Sequence, residues 1–175
     1  SRQTFMFATT EGQTIFDPLV DRMERVDLQD YDLDELGKIV LLGLDDYEVD
    51  ADALLEVATV LRGNARASQK MAGHIKTYLD GNGLTKFTFD DWKKLRKEKS
   101  ILPLGLLEKE MVILQILERK SETRLTELAA ITCLSKGALQ KDYEMFLMKQ
   151  GLITIAPAGR SLTTKGREYL RELVV

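Results

Sequence analysis

Leu33, Leu36, Ile39, Val40 and Leu44 recur at the three-to-four-residue spacing that puts side chains on one face of a helix. Asp32, with Glu35 three residues on, has the capping-box pattern, so this helix is expected to start there. A second helix is predicted from about residue 50, burying Ala53, Leu54, Val57 and Val60 or Leu61, with Gly63 as its stop. A third runs over 65–79 and closes in Asp80-Gly81-Asn82-Gly83. A short extended piece over 86–89 then leads into a basic helix over 90–99. Four helices of this size bury little core by themselves.

The pattern changes on both sides of this unit. Upstream, Thr4-Phe5-Met6-Phe7-Ala8-Thr9-Thr10 reads as a buried strand. A buried strand needs neighbours, and no other long apolar strand follows, so the strand is expected to belong to a sheet encoded upstream. Pro18 suits the first position of a helical turn over 19–23, and 25–29 alternates like a short strand. Downstream, Pro103 and Gly105 mark a linker over 101–105. A long helix over 106–119 carries Leu107, Met111, Leu114 and Leu117, and a short helix follows over 126–131. The turn Thr132-Cys133-Leu134 leads to Ser135, a good N-cap for a helix over 136–149 that packs Leu139, Tyr143, Phe146 and Leu147. A strand over 152–155, a turn over 156–159, a returning strand over 160–163 and a helix over 164–173 complete the chain. Helix, helix–turn–helix, hairpin, helix is the order of a winged helix.

Composition narrows the chemistry. The 175 residues, 44 % apolar and 30 % charged, suit one domain or two small ones. No apolar run is long enough to cross a membrane, and the first residues show no export pattern. Cys133 is the only cysteine and His74 the only histidine, which argues against an internal disulfide, a His/Cys zinc site or a Cys–His nucleophile pair. A cytoplasmic location is expected. Cys133 reads as a buried small hydrophobe, His74 as structural or exposed, and Trp92, Phe87 and Phe89 as core.

Charge is segregated. The net −3 divides into −10 over 1–64, +5 over 65–100 and +2 over 101–175, so the later part could meet nucleic acid while the first part would repel it. The basic run reads equally as a solvated helix face. Lys136, Gln140 and Lys141 stand near the start of the second helix of the helix–turn–helix, where a DNA reader faces a groove or phosphates. Arg160 sits at the hairpin, within reach of phosphate or the minor groove. Winged helices also serve as protein-binding modules, so both readings stand. Arg22 ends a short helix and Arg66 opens one; a guanidinium offered from a helix end suits phosphate, and a solvated or ion-paired arginine is the other reading. No G-x-x-x-x-G-K-[ST] run is present, and Asp45-Asp46 reads as a solvated loop.

Several stretches resemble one family. Phe7-Ala8-Thr9-Thr10 followed by Asp17-Pro18-Leu19-Val20-Asp21-Arg22-Met23 resembles the "G-A-T-T-R … P-L-R-D-R-F" of the RuvB family of Holliday-junction branch-migration motors. Arg62-Gly63-Asn64-Ala65-Arg66 resembles its "R-G-T-P-R", and Arg124-Leu125-Thr126-Glu127-Leu128-Ala129 its "G-L-D-N-L-A". Asp142-Tyr143-Glu144-Met145-Phe146-Leu147 with Gln150-Gly151-Leu152 is similar to "V-Y-E-P-Y-L … Q-G-F", and Pro157-Ala158-Gly159-Arg160 to "P-R-G-R". The matches keep their order over nearly the whole chain.

The resemblance implies a mainly α chain from an AAA+ ATPase: residues 1–30 as the end of the large α/β domain with a remnant strand, 31–100 as the helical lid, and 101–175 as a DNA-binding winged helix. ATP with Mg2+ would be held by motifs upstream of this chain, which alone is expected not to hydrolyse ATP. By position, Thr10 (or Thr9) corresponds to sensor 1, Arg22 to the arginine finger, Arg66 to sensor 2, and Tyr31 to an aromatic near the adenine, its spacing from Arg22 one residue short. Arg160 corresponds to a wing arginine on the DNA backbone, beside Lys136 and Lys141. The implied partners are double-stranded DNA or a Holliday junction, copies of the same chain in a hexameric ring, and a RuvA-like junction-binding protein; no membrane is implied. Ile155 and Ala158 replace further wing arginines, and Val20 replaces the arginine before the finger motif's aspartate, which points to weaker DNA contact or a different DNA partner. A clamp-loader or initiator-type AAA+ machine, and a non-enzymatic winged-helix module, are the alternatives.

Overall fold

A computed structural model describes residues 3–173. Residues 3–30 hold little regular structure beyond a 3-10 turn at Gly12–Thr14 and the four-residue helix α1 (Asp17–Val20). The helices α2 (Leu33–Leu42), α3 (Ala51–Thr59), α4 (Ala65–Asn82) and α5 (Phe89–Glu98) form the first unit. Two short strands, β1 (Glu48–Val49) and β2 (Lys86–Phe87), pair in parallel, Glu48 beside Lys86 and Val49 beside Phe87, and tie the loops before α3 and α5 together. The second unit contains α6 (Glu108–Arg119), α7 (Leu125–Thr132) and α8, a rod made of Lys136–Ala138, the π-type turn Leu139–Glu144 and Met145–Lys149. The hairpin β3 (Ile153–Ala156) and β4 (Gly159–Leu162) and the helix α9 (Thr164–Leu173) complete it.

The helix starts follow local chemistry. The Asp32 carboxylate accepts from the Glu35 amide at 2.8 Å, and the Asp32 amide donates to Glu35 Oε2 at 3.0 Å. Thr88 and Asp91 form the same reciprocal pair at α5. Asn64 Oδ1 caps α4 by accepting from the Arg66 amide, and Ser135 Oγ caps α8 by accepting from the Ala138 amide. Each such cap contributes about 1 kcal/mol. The apolar stripes then close two cores. The first gathers Leu36, Val40, Val57, Ile75, Phe87 and Trp92; the second gathers Ile113, Leu114, Leu128, Leu139, Leu152 and Leu170. Full burial of each large side chain stabilises by roughly 1.5–3 kcal/mol, so these positions hold each unit together.

Four expectations are corrected. Residues 4–10 form no strand: Phe5, Met6 and Phe7 are exposed, Met6 at 91 %. A strand's backbone groups need a partner edge, and the strands near this unit, β1 and β2, are two residues long and pair with each other. Residues 25–29 are likewise without strand pairing. Cys133 is exposed, because it closes α7 in a left-handed conformation (φ 55°) that turns its side chain outward while Leu134 packs against the second core. Phe89 lies at the rim of α5, partly exposed, with the Lys93 ammonium over its ring.

The hairpin gains a third edge at Thr123, which exchanges both backbone hydrogen bonds with Arg160 at 2.9 and 2.8 Å. Gly159 is required there, since a Cβ would lie 2.7 Å from the Thr123 carbonyl oxygen. Arg160 points inward: its Nε and Nη2 donate to the two carboxylate oxygens of Glu144 at 2.7 and 3.1 Å. Glu144 is 1 % exposed and the Arg160 side chain 11 %. A carboxylate so buried is tolerated only when paired. Among the described residues no helix is long and apolar enough to cross a membrane.

Arg160→Ala is expected to cost about 3–5 kcal/mol in urea unfolding, because it leaves Glu144 charged and alone. The double variant Arg160→Met/Glu144→Leu should recover most of that loss. Tyr169 provides a pH test. Burial pushes its hydroxyl up to about 12, from an ordinary value of 10.0, and that hydroxyl donates to the Pro103 carbonyl at 2.8 Å. The folded state therefore holds this proton more tightly than the unfolded one, so its contribution is whole below pH 10.0 and is lost as pH rises through about 12. Tyr169→Phe is expected to lower stability by about 1 kcal/mol at neutral pH and to flatten the alkaline fall of the melting temperature.

Candidate functional site

The residues with phosphate chemistry fall into two groups. Thr10 and Arg22 lie on the N-terminal segment, both exposed, with Arg22 just past α1. Arg66 sits exposed in the first turn of α4, its amide held by Asn64 Oδ1 at 2.9 Å. The arginines that pair with carboxylates among the described residues are Arg25, Arg62 and Arg160, which leaves the guanidiniums of Arg22 and Arg66 without an ion-pair partner there. Tyr31 joins Arg66: its amide donates to the Gly63 carbonyl at 3.2 Å, three residues before Arg66. Gly63 has φ +73°, and a Cβ on it would lie 2.7 Å from Asp30 Cβ, so the chain at 30–31 passes hard against the turn that opens α4. Thus the backbone of Tyr31 is tied to the turn that opens α4 and carries Arg66, while Thr10 and Arg22 lie on the segment before it.

The residues expected from sequence to meet DNA are on the second unit. Lys136 is exposed in the first turn of α8. Lys141 is exposed on the same rod, and its ammonium is 2.7 Å from Glu11 Oε1. The Glu11 carboxylate bonded to it pushes the lysine pKa up, and Lys141 in turn lowers that of Glu11. Farther along, Lys149 pairs with Asp30 at 2.5 Å. Two acidic residues of the N-terminal segment therefore rest on the lysines of α8. These pairs are solvated on both sides and weak, so a phosphate can displace them. Arg160, expected as an outward wing contact, is instead engaged by Glu144, and the hairpin tip at 155–158 shows Ile155, Ala156, Pro157 and Ala158 to solvent. The basic helix α5 behaves as a solvated face, with Lys93 on Asp90 and Lys94 on Asp91.

One residue to which the sequence assigned no role of its own, Arg62, bonds a buried carboxylate and stacks on an aromatic ring. Arg62 donates through Nη1 and Nη2 to the carboxylate of Glu110 at 3.1 and 3.0 Å. Its guanidinium carbon lies 3.4 Å from the centre of the Phe146 ring. Glu110 is 0 % exposed and also accepts from the Leu107 amide at 2.8 Å. A sequence signal existed: Glu110 falls on the apolar stripe of Leu107, Met111, Leu114 and Leu117, where a charge demands a partner. The Glu144 signal was hidden by the π-type turn, which puts residues five apart, Leu139 and Glu144, on one buried face. Among the described residues no group of three or more His, Cys, Asp or Glu side chains could hold a metal ion.

Comparison with known proteins agrees with this architecture. Residues 103–171 match the RuvB C-terminal winged helix domain family. Over 171 residues the chain is 26 % identical to the Holliday junction branch migration complex subunit RuvB of Wolbachia from Brugia malayi, covering 95 % of this chain and 52 % of that protein. The same subunit of Lactobacillus gasseri is 24 % identical over 168 residues, 93 % of this chain and 50 % of its own length. Among solved structures, the Thermotoga maritima RuvB Holliday junction branch migration motor aligns with a TM-score of 0.72 at 26 % identity, over 82 % of this chain and 50 % of that one. A variant of the same Thermotoga protein reaches 0.75 at 25 % identity, over 90 % and 54 %. The chain spans about half the length of the curated relatives it matches. Residues 103–171 thus match the RuvB C-terminal winged helix domain family, and the chain is similar in fold to RuvB over 90 % of its length.

Proposed function

We propose that this chain is the lid and winged helix of an ATP-driven motor that moves double-stranded DNA through branch migration at Holliday junctions. The observation that carries the reading is likeness in fold to RuvB over 90 % of the chain, together with the winged-helix family match over residues 103–171. ATP with Mg2+, when bound, supplies the phosphoryl group and its charge. This chain's own part in that site is limited, since no phosphate-loop run occurs in the sequence. The exposed guanidiniums of Arg22 and Arg66, without an ion-pair partner among the described residues, fit a triphosphate's charge.

In this reading Arg22 stabilises the charge that develops on the transferring phosphoryl group at a neighbouring subunit's site. Thr10 orients a water or a γ-phosphate oxygen, Arg66 reaches phosphate from the lid, and Tyr31 flanks the base beside it. Lys136 and Lys141 meet the DNA backbone from α8. A homo-oligomeric ring, hexameric as the family implies, and a RuvA-like junction-binding partner complete the proposal. The inward Arg160 and the apolar hairpin tip favour a second reading for the wing alone, that it docks on protein while α8 touches DNA.

Fluorescence anisotropy on labelled duplex and four-way junction tests the DNA contact. Affinity is expected to fall steeply with salt, and Lys136→Ala to flatten the slope of log K against log salt by about 0.9. Undetectable binding at low salt would leave α8 without a DNA role. In rings where this chain works with an ATP-binding domain, Arg22→Ala is expected to lower turnover by ~10³-fold or more while nucleotide binding persists. Unchanged turnover removes Arg22 from the reaction.

A further inference from the structure

We infer that Arg62 is a positioning residue that clamps the helical unit to the winged helix, so that the two move as one body. The inference deepens the function proposed above, because Arg62 stands four residues before Arg66 in the segment that would sense nucleotide.

The geometry is that of a clamp rather than of a surface ion pair. Arg62 belongs to the turn between α3 and α4, whereas Glu110 and Phe146 belong to α6 and α8 of the other unit. Glu110 is wholly buried, and its carboxylate accepts three donors: two from Arg62 and one from its own helix start at Leu107. Without Arg62 it would keep one donor, and a buried carboxylate with so little compensation is strongly disfavoured. Arg62 thus supplies most of what lets Glu110 stay charged there. The flat guanidinium uses its edge for the carboxylate and its face for the Phe146 ring, a combination that lysine cannot reproduce. One side chain therefore fixes the helical unit against two helices of the winged helix.

The backbone around the clamp leaves no slack. Arg62 itself has φ +58°, a conformation L residues adopt only when the surroundings hold them. The connecting 3-10 turn Pro103–Gly105 is gripped from both sides. A Cβ on Gly105 would come within 2.1 Å of the Val60 carbonyl oxygen of the first unit, and Tyr169 of the second unit bonds the Pro103 carbonyl. Arg96 Nε in turn donates to the Ile101 carbonyl at 3.2 Å, securing the start of the connection to α5. From Arg62 the path to Arg66 is equally short: the Asn64 amide donates to the Leu61 carbonyl, and Asn64 Oδ1 holds the Arg66 amide. A displacement of Arg66 reaches Glu110 and Phe146 through a segment in which Arg62, Gly63 and Asn64 are each held by a hydrogen bond.

The test uses the single native thiol. Cys133 is exposed on the second unit, and Lys38→Cys would place one label on the exposed face of α2. Pulsed electron–electron resonance between spin labels at the two positions should give one narrow distance distribution in the parent chain. Arg62→Ala and Glu110→Gln should each broaden it at least twofold with helix content by circular dichroism unchanged, and Arg62→Lys should fail to restore the narrow form. Glu110→Gln leaves no buried anion, so it remains informative if Arg62→Ala does not fold. A distribution as narrow as the parent's in folded Glu110→Gln or Arg62→Ala overturns the clamp. This readout needs no nucleotide and no DNA, so it stands or falls separately from the motor reading. Under that reading, rings carrying Glu110→Gln should hydrolyse ATP while moving four-way junctions at least tenfold more slowly.

Discussion

A carboxylate cannot be left alone out of water, and this constraint organises the molecule around Glu110. Its helix, α6, contributes Ile113, Leu114 and Leu117 to the second core, and that packing carries Glu110 inside with them. The donors that neutralise it come from its own helix start and from Arg62 of the neighbouring unit. Two separate hydrophobic cores are thereby joined by a charged contact that stands beside the close packing of Gly105 on Val60. Charged contacts of this kind are directional: a bidentate fork accepts one orientation, whereas apolar faces slide. The joint is specified in angle as well as in distance.

The same physics repeats at smaller scale within the winged helix. Glu144 is buried by α8, and Arg160 comes across from the hairpin to pair with it. That pair holds the hairpin against the rod and leaves its tip, Ile155 to Ala158, without a cation. The cost is functional as well as energetic, since an arginine used internally is withdrawn from the surface. Exposed cations of this unit lie on α8 and also on α6 and α9, with Arg124 just before α7, and acidic residues of the N-terminal segment rest on two of those on α8. Solvated pairs of this sort contribute little to stability and exchange readily with water.

The N-terminal segment follows a different rule. Phe5, Met6, Phe7, Val26 and Leu28 are apolar yet exposed, and their backbone has no strand to pair with. Period and composition favoured extended structure there, but a strand is a relationship between two segments, and local sequence supplies only one of them. Arg22 and Thr10 are carried on this segment, whereas Arg66 and Tyr31 belong to the helical unit and its edge.

The elements that sequence determined are those whose causes are local. Asp32 with Glu35 and Ser135 before α8 start helices through hydrogen bonds spanning three residues, and the stripes of Leu36, Val40, Leu114 and Leu117 announce which faces turn inward, although Leu107 of the same stripe is half exposed. The order of helices and hairpin, and with it the winged helix, was legible for the same reason. Tertiary structure decided what depends on distant partners. Arg62 meets Glu110 across 48 residues and Arg160 meets Glu144 across 16, and no local pattern says which buried acid an arginine will answer. It also decided that Cys133 faces solvent, because a left-handed turn, not hydrophobicity, sets its direction. Spacing encodes a helix because its bonds close within four residues; a buried charge waits for the fold to bring its counterpart.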